Sequence, residues 1–113
     1  MKILTKKIKS QLIKNHEKNI LTGGEHDHEP VVKLFGGAAC TWLLTELDPE
    51  TNIAFGLCDI GQGLTEMGYV DMDELLALKF PPFGLPIERD RWWKANKTLA
   101  AYAADARQAG YIA

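Results

Sequence analysis

The chain has 113 residues and a formal net charge of -2, which is the size of a single domain that removes about two-thirds of its unfolded surface from water. Its hydrophobic content of 46% and charged content of 25% are ordinary for a globular protein, and no apolar run approaches the roughly 18 residues that span a bilayer. The composition therefore excludes a membrane-spanning protein. The lysine-interrupted N-terminus lacks the apolar core of a secretory signal, which predicts a cytoplasmic location.

Residues 4–21 have the periodicity of an amphipathic helix. Apolar residues and one histidine recur at every fourth position, at Leu4, Ile8, Leu12, His16 and Ile20. Six lysines and one glutamate give the first 21 residues a charge of +5, which leaves -7 for the rest of the chain. The helix is therefore basic, and its apolar stripe must be buried on the core, on a partner or on another copy.

A polar break separates this helix from the rest of the chain. Gly23 and Gly24 end the helix, and the charged residues that follow favour a solvated linker. We therefore predict a basic helical appendage at 1–24, a polar linker at 25–30 and an α+β core domain at 31–113. On this division, the core folds without the helix.

Strand-forming residues bounded by turn residues predict four short strands. They lie at residues 31–35, 40–47, 53–58 and 66–70. A turn from Asp48 to Asn52 joins the middle two into a hairpin. Because the connections are short, the strands are expected to pair antiparallel.

The second half of the chain predicts two further helices around a proline-rich loop. Asp71 caps a short central helix, and Thr98 caps an alanine-rich final helix that Gly110 closes. Between them, residues 81–86 are extended because they are rich in proline. They lead into residues 87–93, which we predict as a last strand or irregular edge.

Together these elements predict an α+β fold. The apolar side chains of a small sheet must be buried, so helices are needed to cover it. We expect an antiparallel sheet of four or five strands, with the central and C-terminal helices packed on one face and the basic N-terminal helix appended.

Four segments place aromatics, glycines and carboxylates at the predicted strand ends. They are Trp42 to Pro49, Phe55 to Asp59, Glu66 to Val70 and Ile87 to Asp90. In order and spacing they resemble an uncharacterised "domain of unknown function" family of single-domain bacterial proteins found on plasmids and conjugative elements. The resemblance spans residues 30–112, so the basic helix lies outside it, and it implies a fold boundary and a genomic setting but no reaction.

The segment around the last predicted strand combines charged and aromatic residues. Trp92 and Trp93 are adjacent, so an extended backbone points them to opposite sides and exposes one of them. An exposed arginine and an exposed aromatic side chain form the usual energetic centre of a protein interface. The predicted contact surface therefore comprises Phe83, Tyr69, Glu88, Arg89, Asp90, Arg91, Trp92 and Trp93.

Carboxylates at strand termini allow a second interpretation. Asp59, Glu66, Glu88 and Asp90 are the residue types from which a magnesium-dependent nuclease or hydrolase is built. Alternating Glu-Arg-Asp-Arg on an edge strand also makes cross-strand pairs and discourages edge-to-edge association. The sequence places no nucleophile beside these carboxylates, which favours a protein that is not an enzyme.

Histidines and cysteines supply no cofactor site. His26 and His28 are metal-binding residue types, but they lie in the predicted linker without two further positioned ligands. Cys40 and Cys58 lie in predicted strands, which favours reduced, buried thiols over a disulfide. We therefore predict no cofactor and no bound metal.

The sequence thus favours a non-enzymatic binding or accessory protein of a mobile genetic element, which acts through contact with an unidentified protein partner. The genetic setting comes from the family resemblance alone. Nucleic-acid binding through the lysine-rich helix is a further alternative, because affinity grows with the number of phosphates neutralised. The charge of -7 on the rest of the chain opposes it.

Overall fold

The computed structural model describes residues 3–24 and 26–113, which form an α+β fold around one sheet. The elements in chain order are α1 (Lys6–Leu21), β1 (Val32–Gly36), β2 (Cys40–Asp48), β3 (Ile53–Asp59), β4 (Thr65–Asp71), α2 (Met72–Ala77), β5 (Glu88–Arg89) and α3 (Leu99–Ala109). The five strands are antiparallel in the order β4-β3-β2-β1-β5, which confirms the predicted class and pairing. Across the described ranges, no helix is long and apolar enough to cross a membrane.

Local capping explains where the helices begin. The Thr5 hydroxyl accepts from the backbone N–H of Ile8 at the start of α1. The carboxylate of Asp71 caps α2, and the hydroxyl of Thr98 caps α3, as the sequence predicts. Gly110 ends α3 in the left-handed conformation, with φ 84°, which glycine adopts without a steric penalty.

Both faces of the central strand β2 are covered, and its residues from Trp42 to Leu47 are all buried. Trp42 and Leu44 point to one face, where they form a core with Leu12 of α1. Leu43 points to the other face and packs with Ala103 of α3. The side chains alternate between the faces because successive strand residues point in opposite directions.

The helices are therefore distributed differently from the sequence-based expectation. The central and C-terminal helices were expected on one face, but Met72 and Leu75 of α2 belong to the core that includes α1. Leu99 and Ala106 of α3 belong to the core on the opposite face. The physical reason is that β2 and β3 are apolar on both faces, so each face needs its own helical cover.

A bulge in β2 changes which residues face each other across the strands. Leu44 pairs with Gly56, whereas Glu46 pairs with Phe55, so Thr45 is the additional residue. Past the bulge, Glu46, Phe55 and Tyr69 form one row across β2, β3 and β4. Directly opposed residues share a face, so these three side chains lie on the same side of the sheet as α3.

The basic helix α1 is packed against the sheet. The pairing of β1 with β2 ends at Val32, opposite Leu44. The helix α1 also lies against β2. Asn15 of α1 donates its amide hydrogen to the Thr45 carbonyl at 2.9 Å, and Leu12 is fully buried in the core. A side-chain amide thus takes the place of a strand partner beside the bulge. No observation tests whether 31–113 folds without this helix, but these contacts argue against the independent core that the sequence predicts.

The described part of the predicted linker is also tied down. His28 and Pro30 are buried, although the charged sequence favoured a solvated segment. The backbone carbonyl of His28 accepts from Leu99 at 2.9 Å, and the Asp27 carboxylate accepts from the backbone N–H of Ala100 at 3.2 Å. These bonds satisfy amides at the start of α3, which explains why a polar segment is held against the fold.

Candidate functional site

A cavity of about 770 Å³ opens between the C-terminal half of α1 and the α3-facing side of the sheet, past Leu44, where the pairing of β1 with β2 ends. Its floor is the row Glu46, Phe55 and Tyr69 that the bulge creates. One wall is the C-terminal half of α1, which contributes His16 and Asn19. The volume falls within the range of pockets that hold small molecules or side chains of a partner.

Glu46 places a buried carboxylate in this cavity. Its side chain is 9% exposed, and the Asn19 amide donates to both carboxylate oxygens at 3.0 Å. An ionised carboxylate has about four acceptor positions, so one amide leaves capacity for further donors. Burial of a carboxylate is costly unless donors or positive charge compensate it, so a ligand donor that bonds to Glu46 would offset part of this cost.

Asp48 supplies a second carboxylate at the same wall. The backbone N–H of Glu50 donates to Asp48 Oδ1 at 2.9 Å, and this bond is the largest cause that lowers the pKa of Asp48. His16 lies between the two acids: its Nδ1 is 3.9 Å from Glu46 Oε1, and its Nε2 is 3.9 Å from Asp48 Oδ2. These distances exceed a hydrogen bond, so the imidazole is a neighbour of both acids without binding either one tightly.

Aromatic and aliphatic side chains complete the cavity. The rings of Phe55 and Tyr69 meet edge to face, with centroids 5.2 Å apart and an interplanar angle of 65°. Tyr69 is 81% exposed, and Ile20 at the cavity wall is 64% exposed. The buried carboxylate is thus bordered by exposed apolar surface.

The structure divides the contact surface that the sequence predicts. Tyr69 lies on β4, whereas Glu88 and Arg89 form β5 at the opposite edge of the sheet. Arg89 donates from Nη1 to the Ile3 carbonyl at 2.5 Å, which connects β5 to the start of the described chain. The backbone N–H of Asp90 donates to the Lys33 carbonyl at 2.9 Å, so it continues the pairing with β1.

The aromatic residues near β5 differ in exposure. Trp92 is 92% exposed and Phe83 is 83% exposed. Trp93 is half-buried in the α3 core, where its ring centroid lies 5.8 Å from that of Tyr102. Trp92 is therefore the exposed member of the adjacent pair, and Arg91 beside it is exposed as well.

The four carboxylates considered for catalysis do not converge. Asp59 is 2% exposed and accepts from the backbone N–H groups of Gly61 and Ile112 at 2.8 and 3.0 Å, which is a structural role. Glu66 lies on β4, and Glu88 lies on β5 at the far edge of the sheet. Four strand spacings separate those edges, about 19 Å, so a shared metal or substrate is out of reach.

The histidine pair does not form a metal site with other ligands. The rings of His26 and His28 meet edge to face with centroids 4.1 Å apart. In residues 3–24 and 26–113, no group of three or more histidine, cysteine or acidic side chains has the arrangement to hold a metal ion. His28 Nε2 instead donates to the Asn15 carbonyl at 3.1 Å.

His28 should make stability depend on pH. Burial is the largest cause that lowers its pKa below 6.5, and the His26 imidazole adds to the shift. His28 therefore binds a proton more tightly in the unfolded chain than in the folded protein. The stability that neutral His28 contributes is fully present above its unfolded pKa and is lost as the pH falls through its lower folded pKa. We expect the free energy of unfolding, from urea titrations, to fall more steeply between about pH 7 and pH 5 in the wild type than in His28→Gln. Equal slopes would contradict this assignment.

Both cysteines are free thiols, as the sequence predicts, but both are partly exposed, whereas the sequence predicted buried ones. Burial is the largest cause that raises the pKa of Cys58, to about 11, and neighbouring Glu66 contributes. Burial likewise raises the pKa of Cys40. The thiolate is the nucleophilic form, so neither cysteine is activated near neutral pH.

Sequence reasoning missed most of the cavity. Among its residues only Tyr69 belonged to the predicted contact surface. Glu46 and Asp48 fall inside the segment Trp42 to Pro49 that carries the family resemblance, but neither they nor Asn19 was given a role in binding. A signal was present, because His16 occupies a position in the apolar stripe of α1 and Glu46 interrupts an apolar strand. Polar residues at core positions of two elements indicate that those elements meet at a polar site.

A comparison with protein families places the described chain within one of them. The family model "Protein of unknown function (DUF2958)" matches residues 3–113, a range that includes the basic helix α1. No curated protein and no solved structure matches the chain.

Proposed function

The chain belongs to the DUF2958 family of proteins of unknown function, and we propose that it is a non-enzymatic binding protein whose cavity between α1 and the sheet recognises a protein partner. The observation that carries this proposal is the buried Glu46 carboxylate on the cavity floor. An accessory role in a mobile genetic element, which the sequence resemblance suggests, is part of the same proposal.

The surroundings of Glu46 favour a protein partner. Energetic centres of interfaces combine a desolvated polar contact with surrounding apolar residues that exclude water. Glu46 is the desolvated group, and the exposed side chains of Ile20 and Tyr69 at the cavity are the apolar border. Binding is favoured over catalysis because the carboxylates that would build a hydrolytic centre lie at opposite edges of the sheet.

The proposal is tested by partner capture with matched variants. The tagged wild type, Glu46→Gln and Glu66→Gln are used as bait in an extract of cells that carry the gene, and a captured protein is then purified for affinity measurement. We expect Glu46→Gln to weaken binding at least tenfold, because truncating one partner of a buried charge pair costs about 2 to 5 kcal/mol. Glu66 is an exposed carboxylate on β4 outside the cavity, so Glu66→Gln should bind normally. Thermal melts must show that all three proteins are folded.

A second contact surface is favoured by the exposure of Trp92 and Phe83, at 92% and 83%. If the captured partner is lost with Trp92→Ala and retained with Glu46→Gln, the interface lies beside β5 and the cavity proposal is wrong. Trp93→Ala is a poor probe of that interface, because the half-buried indole contributes to the α3 core and its loss would reduce stability.

A further inference from the structure

We propose that the cavity between α1 and the sheet receives a guanidinium group, the side chain of an arginine on the partner protein. This inference rests on the proposed function and names the chemical group that the cavity recognises. It is carried by the two carboxylates and the exposed tyrosine ring that line one cavity.

The charge of the cavity selects a cation. Glu46 and Asp48 are the acidic side chains of its wall and floor. Besides Tyr69, the other polar side chains of the lining are the amide of Asn19, the hydroxyl of Thr51 and the imidazoles of His16 and His26. Glu46 is nine-tenths buried, so its interaction with a bound cation is screened less than that of a surface acid. A bound positive charge would compensate this buried carboxylate.

The number of acceptors distinguishes a guanidinium from an ammonium. Glu46 accepts from one Asn19 amide and therefore retains acceptor positions, whereas Asp48 already interacts with the backbone of Glu50 and with Thr51 and retains fewer. A guanidinium carries five N–H donors in a fixed plane and can address two carboxylates at once, whereas an ammonium has three donors on a single point charge.

The exposed aromatic ring at the cavity is a second feature that favours a guanidinium group. Tyr69 is 81% exposed at the cavity, and its ring meets that of Phe55 edge to face. A planar guanidinium stacks on such a ring and gains a cation–π interaction. The cavity of about 770 Å³ also leaves room for the aliphatic stem of the arginine, beside Ile20 and Ile53.

The test uses three small amides and the whole chain. N-acetylarginine amide, N-acetyllysine amide and N-acetylcitrulline amide are titrated into the ¹⁵N-labelled protein at constant ionic strength, and amide chemical shifts are followed. Citrulline has nearly the shape of arginine without its charge. We expect saturable shifts of cavity residues with the arginine amide, at least fivefold weaker binding of the lysine amide, and no saturation with the citrulline amide.

Variants locate the binding in the cavity. Glu46→Gln should weaken binding of the arginine amide at least tenfold, and Tyr69→Ala should weaken it severalfold. The matched control Glu66→Gln should bind like the wild type, since Glu66 lies outside the cavity. Equal binding of the lysine and arginine amides, or shifts that are small, linear and spread over all surface carboxylates, would overturn the inference.

The two proposals fail in different ways. If partner capture depends on Glu46 but the arginine amide does not bind, the cavity is an interface and the guanidinium inference is wrong. If the arginine amide binds in the cavity but the captured partner binds Glu46→Gln normally, the cavity selects a guanidinium as inferred, but the partner does not supply it and the proposed interface is wrong.

Discussion

Replacing Gly56 with alanine is expected to lower the free energy of unfolding by about 3 kcal/mol or more, because the added Cβ has no space. It would lie 2.1 Å from the backbone oxygen of Leu43 and 2.9 Å from the Cα of Leu44. Those atoms belong to the neighbouring strand, so relief would require β2 and β3 to separate beside the bulge at Thr45. Urea or thermal unfolding, followed by circular dichroism, measures the loss.

Gly68→Ala is the matched control for this substitution. Gly68 lies directly opposite Gly56 on β4, and no described atom lies within 4 Å of the Cβ that alanine would add. We expect an effect within about 0.5 to 1 kcal/mol, because restriction of the unfolded chain is the main change. Similar melting temperatures for the two variants would show that the close approach of β2 and β3 does not constrain the fold.

Leu12→Ala is expected to destabilise the protein by about 3 to 5 kcal/mol, the usual cost of truncating a fully buried leucine. Leu12 is 0% exposed and packs in the core that also contains Leu34 and Trp42. The substitution leaves a void in this core, which is separate from the candidate site. The free energy of unfolding from urea titration is the measurement.

Ile20→Ala on the same helix is the control, since Ile20 is 64% exposed and its truncation should change stability by about 0.5 kcal/mol or less.

Deletion of residues 1–24 tests the predicted domain boundary directly. With Leu12 and Asn15 both buried on β2, we expect the deleted chain to lose cooperative unfolding. A shortened chain that melts cooperatively near the wild-type temperature would instead establish α1 as a dispensable appendage.

Much of the fold is predictable because its signals are local. The capping side chains of Asp71 and Thr98 begin their helices, and Gly110 ends α3, since each acts within one helical turn. The turn at Asp48 to Asn52 is predictable for the same reason: Asn52 tolerates the positive φ of 58° that closes it. The strands follow from period-two patterns with turn residues at their ends.

The candidate site is less predictable because its parts come together only through packing. Asn19 and Glu46 are 27 positions apart in the sequence, and their contact depends on α1 lying against β2. The bulge at Thr45 has no signature in the local sequence, yet it sets Glu46 in a row with Phe55 and Tyr69. Likewise, the sequence does not specify the order of the strands in the sheet. It therefore could not show that Tyr69 on β4 and the residues of β5 lie at opposite edges.

The amino-acid sequence by itself thus determined the class of the fold, the helix ends and the antiparallel hairpins, because propensity, capping and turn geometry act between near neighbours. Only the tertiary structure decided that Leu12 of α1 packs in the core, that α3 covers the opposite face, and that Glu46 and Tyr69 share a cavity. An apolar pattern requires that a face be buried, but it does not state which element buries it. That choice is made by the packing of the whole chain, which brings distant residues into one site.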